Sequence, residues 1–202
     1  MLDLDASIHE QRHCQNAEGM CKTAADVARY RTVIERTDPD GIIEIGTYSG
    51  KSAVWFARTA GCPVLTIDVQ HTTVDADTLA AAQAAQVTLL LGRSTSPSVI
   101  DSTFAWARHK RRIMVSVDGD HSGPVVAAEM NAYSPLVKPG GYMIVEDGIV
   151  RWLPEQWPYY TGNPLDAIEA FLADHPEWAN DQELEDSAPT TQFPGGFLRR
   201  LR

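Results

Sequence analysis

Ile42-Ile-Glu-Ile-Gly-Thr-Tyr-Ser-Gly-Lys-Ser52 is the stretch on which the fold turns. Its first four residues follow the breaker Asp38-Pro-Asp-Gly41 and read as a short buried strand. A glycine-bearing turn then hands over to an apolar helix, Ser52-Ala-Val-Trp-Phe-Ala-Arg58. Upstream, Thr23-Ala-Ala-Asp26 has the form of a capping box, with Asp in place of the usual Glu or Gln. It opens a helix with apolar positions at Val27, Tyr30, Val33 and Ile34. Downstream the alternation repeats. The strand Val64-Leu-Thr-Ile67 ends in Asp68 and precedes an alanine-rich helix over about 75–86, a strand over 87–91 and a helix over about 96–109. The strand Arg112-Ile-Met-Val-Ser-Val117 ends in Asp118. After it come a helix over about 125–136, the strand Tyr142-Met-Ile-Val145, a helix over about 164–174, and weaker strands near 178–183 and 196–201.

Strand and helix alternating at this spacing imply an α/β fold: a Rossmann-like, doubly wound, mainly parallel sheet of seven strands with helices on both faces. Ligands of such sheets lie beyond the carboxyl ends of the strands. The residues predicted there are Glu44, Gly46, Asp68, Asp118, Glu146 and Asp147.

Composition narrows the partners. Apolar residues make up 44% and charged ones 22%, as in ordinary globular chains, and 17 basic against 27 acidic side chains give a net charge of −10. That sum argues against a general affinity for nucleic-acid phosphates or anionic lipid. Between Arg151 and Arg199 no Lys or Arg occurs, so the acids there read as a solvated face. The basic run Arg108-His-Lys-Arg-Arg112 reads as a helix C-terminus complementing its dipole. Apolar runs such as Gln86-Val-Thr-Leu-Leu-Leu-Gly92 are too short to span a bilayer. Acidic residues stand near the N-terminus where a secretory signal needs positive ones, and Cys14, Cys21 and Cys62 lack zinc-type spacing. A reduced cytoplasmic location is expected.

Gly46 and Gly50 enclose three residues, where a phosphate-binding P-loop needs four, and no G-x-G-x-x-G is present. The loop therefore suits a ligand without phosphates, and Asp68, closing the next strand, is placed to accept ribose hydroxyls. S-adenosylmethionine is the common ligand of that kind; the loop alone also reads as a tight strand-to-helix turn.

Asp118-Gly-Asp-His121 and Glu146-Asp147 close neighbouring strands, so at least three carboxylates are expected to converge. Left alone they would raise one another's pKa values. A hard divalent cation resolves this, and oxygen ligands favour Mg²⁺ over the Mn²⁺ or Ca²⁺ that would also fit. The competing reading makes Asp120 or His121 a helix cap. His121, beside that rim, is a candidate general base. His9, His13, His71, His109 and His175 fall outside any such cluster.

The chain resembles the family of small methyltransferases named for cephalosporin hydroxylase and rhamnosyl O-methyltransferase. The resemblance is carried by Gly19-Met-Cys-Lys22 with Asp26 and Tyr30, by Pro39-Asp-Gly-Ile-Ile-Glu-Ile-Gly-Thr47 on to Ser52, and by Ser94-Thr-Ser-Pro97. It continues through Val117-Asp-Gly-Asp-His-Ser122, Tyr133-Ser-Pro-Leu-Val137, Pro139-Gly-Gly-Tyr-Met-Ile-Val-Glu-Asp147 and Phe193-Pro-Gly-Gly-Phe-Leu-Arg-Arg200. It implies a class I methyltransferase fold, with Glu44, Gly46 and Ser52 lining the methionine side of the S-adenosylmethionine pocket and Asp68 on the ribose. It implies a Mg²⁺ site of Asp118 or Asp120 with Glu146 and Asp147, Asp118 being preferred and counted with the cofactor residues too. His121 is then the base. One departure stands out: Gly92-Arg-Ser94 replaces the family's usual Gly-Asp-Ser, so adenine must be held by backbone, by Ser94 or in another way.

The expected protein is a Mg²⁺-dependent S-adenosylmethionine O-methyltransferase acting on a small-molecule hydroxyl, of a sugar or a natural-product intermediate. It is expected to be one domain over 1–202: an N-terminal helical cap 1–40, a cofactor and metal core 41–150, and a substrate-side segment with the last strands 151–202. The resemblance also suggests a homo-oligomer. Trp152, Trp157, Tyr159 and Tyr160, just after the metal residues, suit a substrate lid or a packed connection. The alternatives are a glycosyltransferase using Asp118-Gly-Asp120 as its metal pair, or a non-catalytic protein that binds S-adenosylmethionine.

Overall fold

The computed structural model describes residues 2–12, 20–156 and 158–202. Seven strands form one sheet: β1 (Gly41–Ile45), β2 (Val64–Asp68), β3 (Val87–Leu91), β4 (Ile113–Val117), β5 (Tyr142–Val145), β6 (Trp178–Asn180) and β7 (Phe197–Arg200). Their spatial order is β3-β2-β1-β4-β5-β7-β6. β1 to β5 are parallel, and β7 runs antiparallel between β5 and β6. The strand order reverses between β1 and β4, where β1 pairs with β2 on one side and β4 on the other, so a crevice opens at their tips.

Strand residues alternate between two cores. Ile43, Ile45, Val115, Val117, Met143 and Val145 face α5 (Pro97–Ala107), α6 (Gly123–Tyr133) and α7 (Pro164–Asp174). Ile42, Val64, Met114 and Ile144 face α2 (Ala24–Thr37), α3 (Lys51–Ala60), α4 (Ala76–Ala84) and the short α8 (Gln182–Glu185). Another helix, α1 (Leu4–Arg12), precedes these. Neither α1 nor α8 is signalled by periodicity, since one is polar overall and the other spans a single turn. Among the described residues no helix is long and apolar enough to cross a membrane.

The capping box forms halfway. Asp26 N–H donates to Thr23 Oγ1 at 3.1 Å. The shorter Asp carboxylate does not return to the Thr23 N–H, which donates instead to Gln192 Oε1 at 3.0 Å. Asp26 is thereby freed to pair with Arg29 (2.9 Å) and to accept from the Gln192 N–H (2.9 Å). Arg29, 1% exposed, donates all round: to Asp26 and to the carbonyls of Leu184, Glu185, Ala188 and Thr190. A fully buried guanidinium satisfied this way fastens α8 and the segment after it onto α2.

The basic run 108–112 meets its expectation in part. α5 ends at Ala107, so the basic run 108–112 lies beyond it, in the turn to β4. There the Arg111 and Arg112 N–H groups donate to the Asp40 carboxylate, and the Arg112 guanidinium pairs with Asp38. Lys110 Nζ turns back to the Trp106 carbonyl in the last turn of α5 at 3.1 Å, so the run serves both the helix C-terminus and the loop acids.

Candidate active site

The tips of β1 to β5 border a cleft of about 920 Å³. Gly46 starts the loop after β1 at a φ of +98°, and a Cβ there would fall 1.9 Å from the Asp118 carbonyl oxygen. Only glycine permits that approach of two neighbouring strand ends. Asp68 secures the same loop: its Oδ2 accepts from the N–H groups of Thr47 (2.9 Å) and Tyr48 (3.0 Å). Its Oδ1 has one long bond, from Gln70 N–H at 3.3 Å.

Gly46, Asp68, Ser94, Asp118, Asp120, His121 and Asp147 all border the cleft. Asp118, His121 and Asp147 converge further, each offering a ligand atom within 4.8 Å of the others. His121 Nε2 lies 3.5 Å from Asp147 Oδ2. Asp147 is held with φ at +58°, a left-handed conformation that is uncommon outside glycine, and this starts the 3-10 turn Gly148–Trp152. Burial raises its carboxyl above the ordinary value, and the nearby imidazole partly opposes that.

Four predicted residues stand apart from this group. Asp120 turns its Oδ1 to the Ser122 N–H (2.9 Å) and hydroxyl (2.6 Å), so the two carboxylates of Asp118-Gly-Asp120 are differently engaged. That disfavours the glycosyltransferase alternative. Glu146, one residue before Asp147, points to the opposite face of the sheet. Its Oε2 lies 2.5 Å from Lys22 Nζ, and its Oε1 accepts from the hydroxyls of Tyr30 (2.6 Å) and Ser116 (2.8 Å). Glu44 is buried beneath the cleft floor, where its Oε2 accepts from Thr66 Oγ1 at 2.6 Å. Its Oε1 has no hydrogen-bond partner among the described residues, and burial pushes its carboxyl up to about 8. Ser52 lies in the first turn of α3, outside the cleft lining.

Lys22 is the residue that sequence reasoning missed. Its ammonium, 3% exposed, bridges Asp118 Oδ2 (2.8 Å) and Glu146 Oε2 (2.5 Å). Burial alone would lower its pKa, but Asp118 and Glu146 outweigh that and hold it well above the ordinary lysine value. Burial raises the Glu146 carboxyl, Asp118 adds to the rise, and Lys22 opposes it. A lysine three positions after Gly19 and just ahead of the Thr23 cap was the available signal.

Tyr160 meets the His121 ring edge-on, with centroids 5.7 Å apart, while Tyr159 is 94% exposed and Trp152 37%. Trp157 lies outside the described residues, as do His13, Cys14 and Gly19. Burial raises the Tyr160 hydroxyl.

The chain is similar to known proteins along most of its length. Rhamnosyl O-methyltransferase of Mycobacterium tuberculosis is 33% identical over 186 residues, covering 89% of this chain and 74% of that protein. The Mycobacterium leprae enzyme of the same name is 30% identical over 89% of this chain and 79% of its own length. Among solved structures, CmcI described with Mg-SAM superposes with a TM-score of 0.63 at 21% identity, covering 91% of this chain and 74% of that one. MycE from the mycinamycin biosynthetic pathway, in complex with Mg, SAH and mycinamycin VI, gives 0.55 at 20% identity, covering 87% and 47%. The fold is the class I S-adenosylmethionine methyltransferase fold. Residues 15–201 match the family described as Rhamnosyl O-methyltransferase/CmcI, and the chain belongs to that family.

Proposed function

We propose that the protein transfers a methyl group from S-adenosylmethionine to a hydroxyl of a small molecule, a sugar or a natural-product intermediate, with Mg²⁺ as cofactor. The observation that carries this reading is the group Asp118, His121 and Asp147 at the edge of a cleft that also presents Asp68 and Ser94. The donor set fits the ion: Mg²⁺ is commonly held by one or two carboxylates while keeping waters and substrate oxygens. Asp118 and Asp147 supply those carboxylates. Lys22 holds Asp118 from behind and bridges it to Glu146, offsetting part of the repulsion between the two acids.

When bound, S-adenosylmethionine supplies an activated methyl carbon and Mg²⁺ stabilises the negative charge of an ionising alcohol. The chain's own task is to place the alcohol and take its proton. Imidazole is suited to that, and His121 lies 3.5 Å from the Asp147 carboxylate. Asp147 orients the ring and favours the imidazolium that forms; proton removal by a positioned base of this kind is worth typically about 10²–10⁴-fold. Tyr160 closes one side of the ring and limits its swing. Asp68, anchored to the loop amides, is the acceptor for ribose hydroxyls, and Gly46 lets the loop pass close under the ligand. Positioning by these groups contributes the remainder of the rate.

The whole chain would then act as one domain, with 1–40 as cap, 41–150 as core and 151–202 on the substrate side. Cytoplasmic residence, self-association and the absence of nucleic-acid or membrane partners belong to the same reading. It is supported by the acidic charge and by the free, buried Cys62. The test is methyl transfer to a panel of sugars and polyhydroxylated natural products, with Mg²⁺ and with chelator. Methylated product that disappears with the chelator is expected. Transfer unaffected by chelation would remove the metal from the proposal, and cofactor binding without any transfer would favour the non-catalytic alternative.

A further inference from the structure

Resting on that reading, the β3 end of the cleft holds a carboxylate that the mechanism above does not use. Glu129 sits on α6 and is 1% exposed, yet it borders the cleft. Its Oε1 accepts from the Ser94 hydroxyl at 2.5 Å. Its Oε2, equally buried, has no hydrogen-bond partner among the described residues. One turn further along α6, the Tyr133 hydroxyl donates to the Ser94 carbonyl at 2.6 Å, so the helix grips the β3 tip at two points and the carboxylate is fixed.

An unpaired buried carboxylate oxygen is costly, and such a group is retained where something else supplies the donor. The other acids of the cleft are engaged: Asp68 by backbone N–H groups, Asp118 by Lys22, Asp120 by Ser122 and Asp147 beside His121. With ribose at Asp68 on β2, the attached base lies toward the neighbouring β3 tip. Arg93 there offers only donors and cannot accept from an amine. An adenine ring presents one donor group to such a pocket, its exocyclic amine.

We propose that Glu129, seated by Ser94, selects the adenine of the cofactor by accepting a hydrogen bond from the exocyclic amine at its free Oε2. Glu129 is thus a specificity-determining residue for a 6-amino purine.

Calorimetric titration of the full chain with S-adenosylhomocysteine and with S-inosylhomocysteine, whose 6-oxo group replaces the amine, tests this. The unaltered protein is expected to bind the adenosyl compound at least about 30-fold more tightly, because a site built for a donor rejects a ligand lacking it. Glu129→Gln can donate to the 6-oxo group, so the preference is expected to shrink to about threefold or less. Ser94→Ala, which releases the carboxylate, is expected to shrink it as well, and thermal melting verifies that each variant is folded. A folded Glu129→Gln protein, or Ser94→Ala should the first not fold, that keeps the full preference overturns the role of Glu129 while leaving the methyltransferase reading intact. An unaltered protein that binds neither compound overturns both.

Discussion

Lys22 Nζ and Glu146 Oε2 stand 2.5 Å apart in a site almost wholly removed from solvent, although 124 positions separate them in the chain. The same ammonium reaches Asp118, a proposed metal ligand, at 2.8 Å. One buried cation therefore links the segment before α2 to the tips of β4 and β5.

Replacing Lys22 with Met leaves the buried Glu146 uncompensated beside the partly exposed Asp118, and a loss of about 3–5 kcal/mol is expected. Protonation relieves the repulsion between them, so the loss is expected to be larger at pH 8 than at pH 5. Urea unfolding at both values measures it, and an equal loss at both would assign the effect to packing instead.

Arg29 is held by five acceptors on α2, on α8 and on the segment that follows α8. Arg29→Met leaves Asp26 buried without its cation and several carbonyls without donors. A destabilisation of about 3–5 kcal/mol is expected. Limited proteolysis should then cut near 184–192 first; uniform cleavage along the chain would contradict the clamp.

Glu44 gives a pH dependence with a definite sign. Its carboxyl ionises near 4.5 in the unfolded chain and near 8 when folded, with burial the main cause. Between those values the folded state holds the extra proton, so stability falls as pH rises from about 4.5 through 8. Glu44→Gln cannot ionise, so relative to the parent it should gain on the order of a few kcal/mol between pH 5 and pH 8. A parent-minus-variant difference that stays flat with pH would refute this.

His121→Ala is expected to lower kcat by about 10²–10⁴-fold with KM changed little, since the imidazole acts on a proton and not on substrate affinity. Steady-state kinetics with an accepted hydroxyl compound give the split. A raised KM at unchanged kcat would make His121 a binding residue.

Much of this was readable in the sequence because the apolar segments repeat at strand and helix lengths, which suffices to give a mainly parallel sheet with acids at its carboxyl edge. The antiparallel pair β6 and β7 was weaker: β6 is three residues long and α8 follows it after one residue. Glu146 and Asp147 show where reading by motif falls short. Both lie just past the end of β5, where the left-handed backbone at Asp147 turns the chain, so one meets Lys22 beneath the sheet while the other reaches His121. Lys22, Arg29 and Glu129 were silent because, apart from Asp26 beside Arg29, their partners lie 35 to 161 positions away in the chain. Only the folded sheet brings those charges together.

Mg²⁺ titration by calorimetry, in the presence of S-adenosylhomocysteine, most directly probes the proposed centre. One equivalent is expected to bind the unaltered protein, with binding lost in Asp147→Asn while affinity for S-adenosylhomocysteine persists. Equal Mg²⁺ binding by the variant would contradict a metal site built on Asp118 and Asp147.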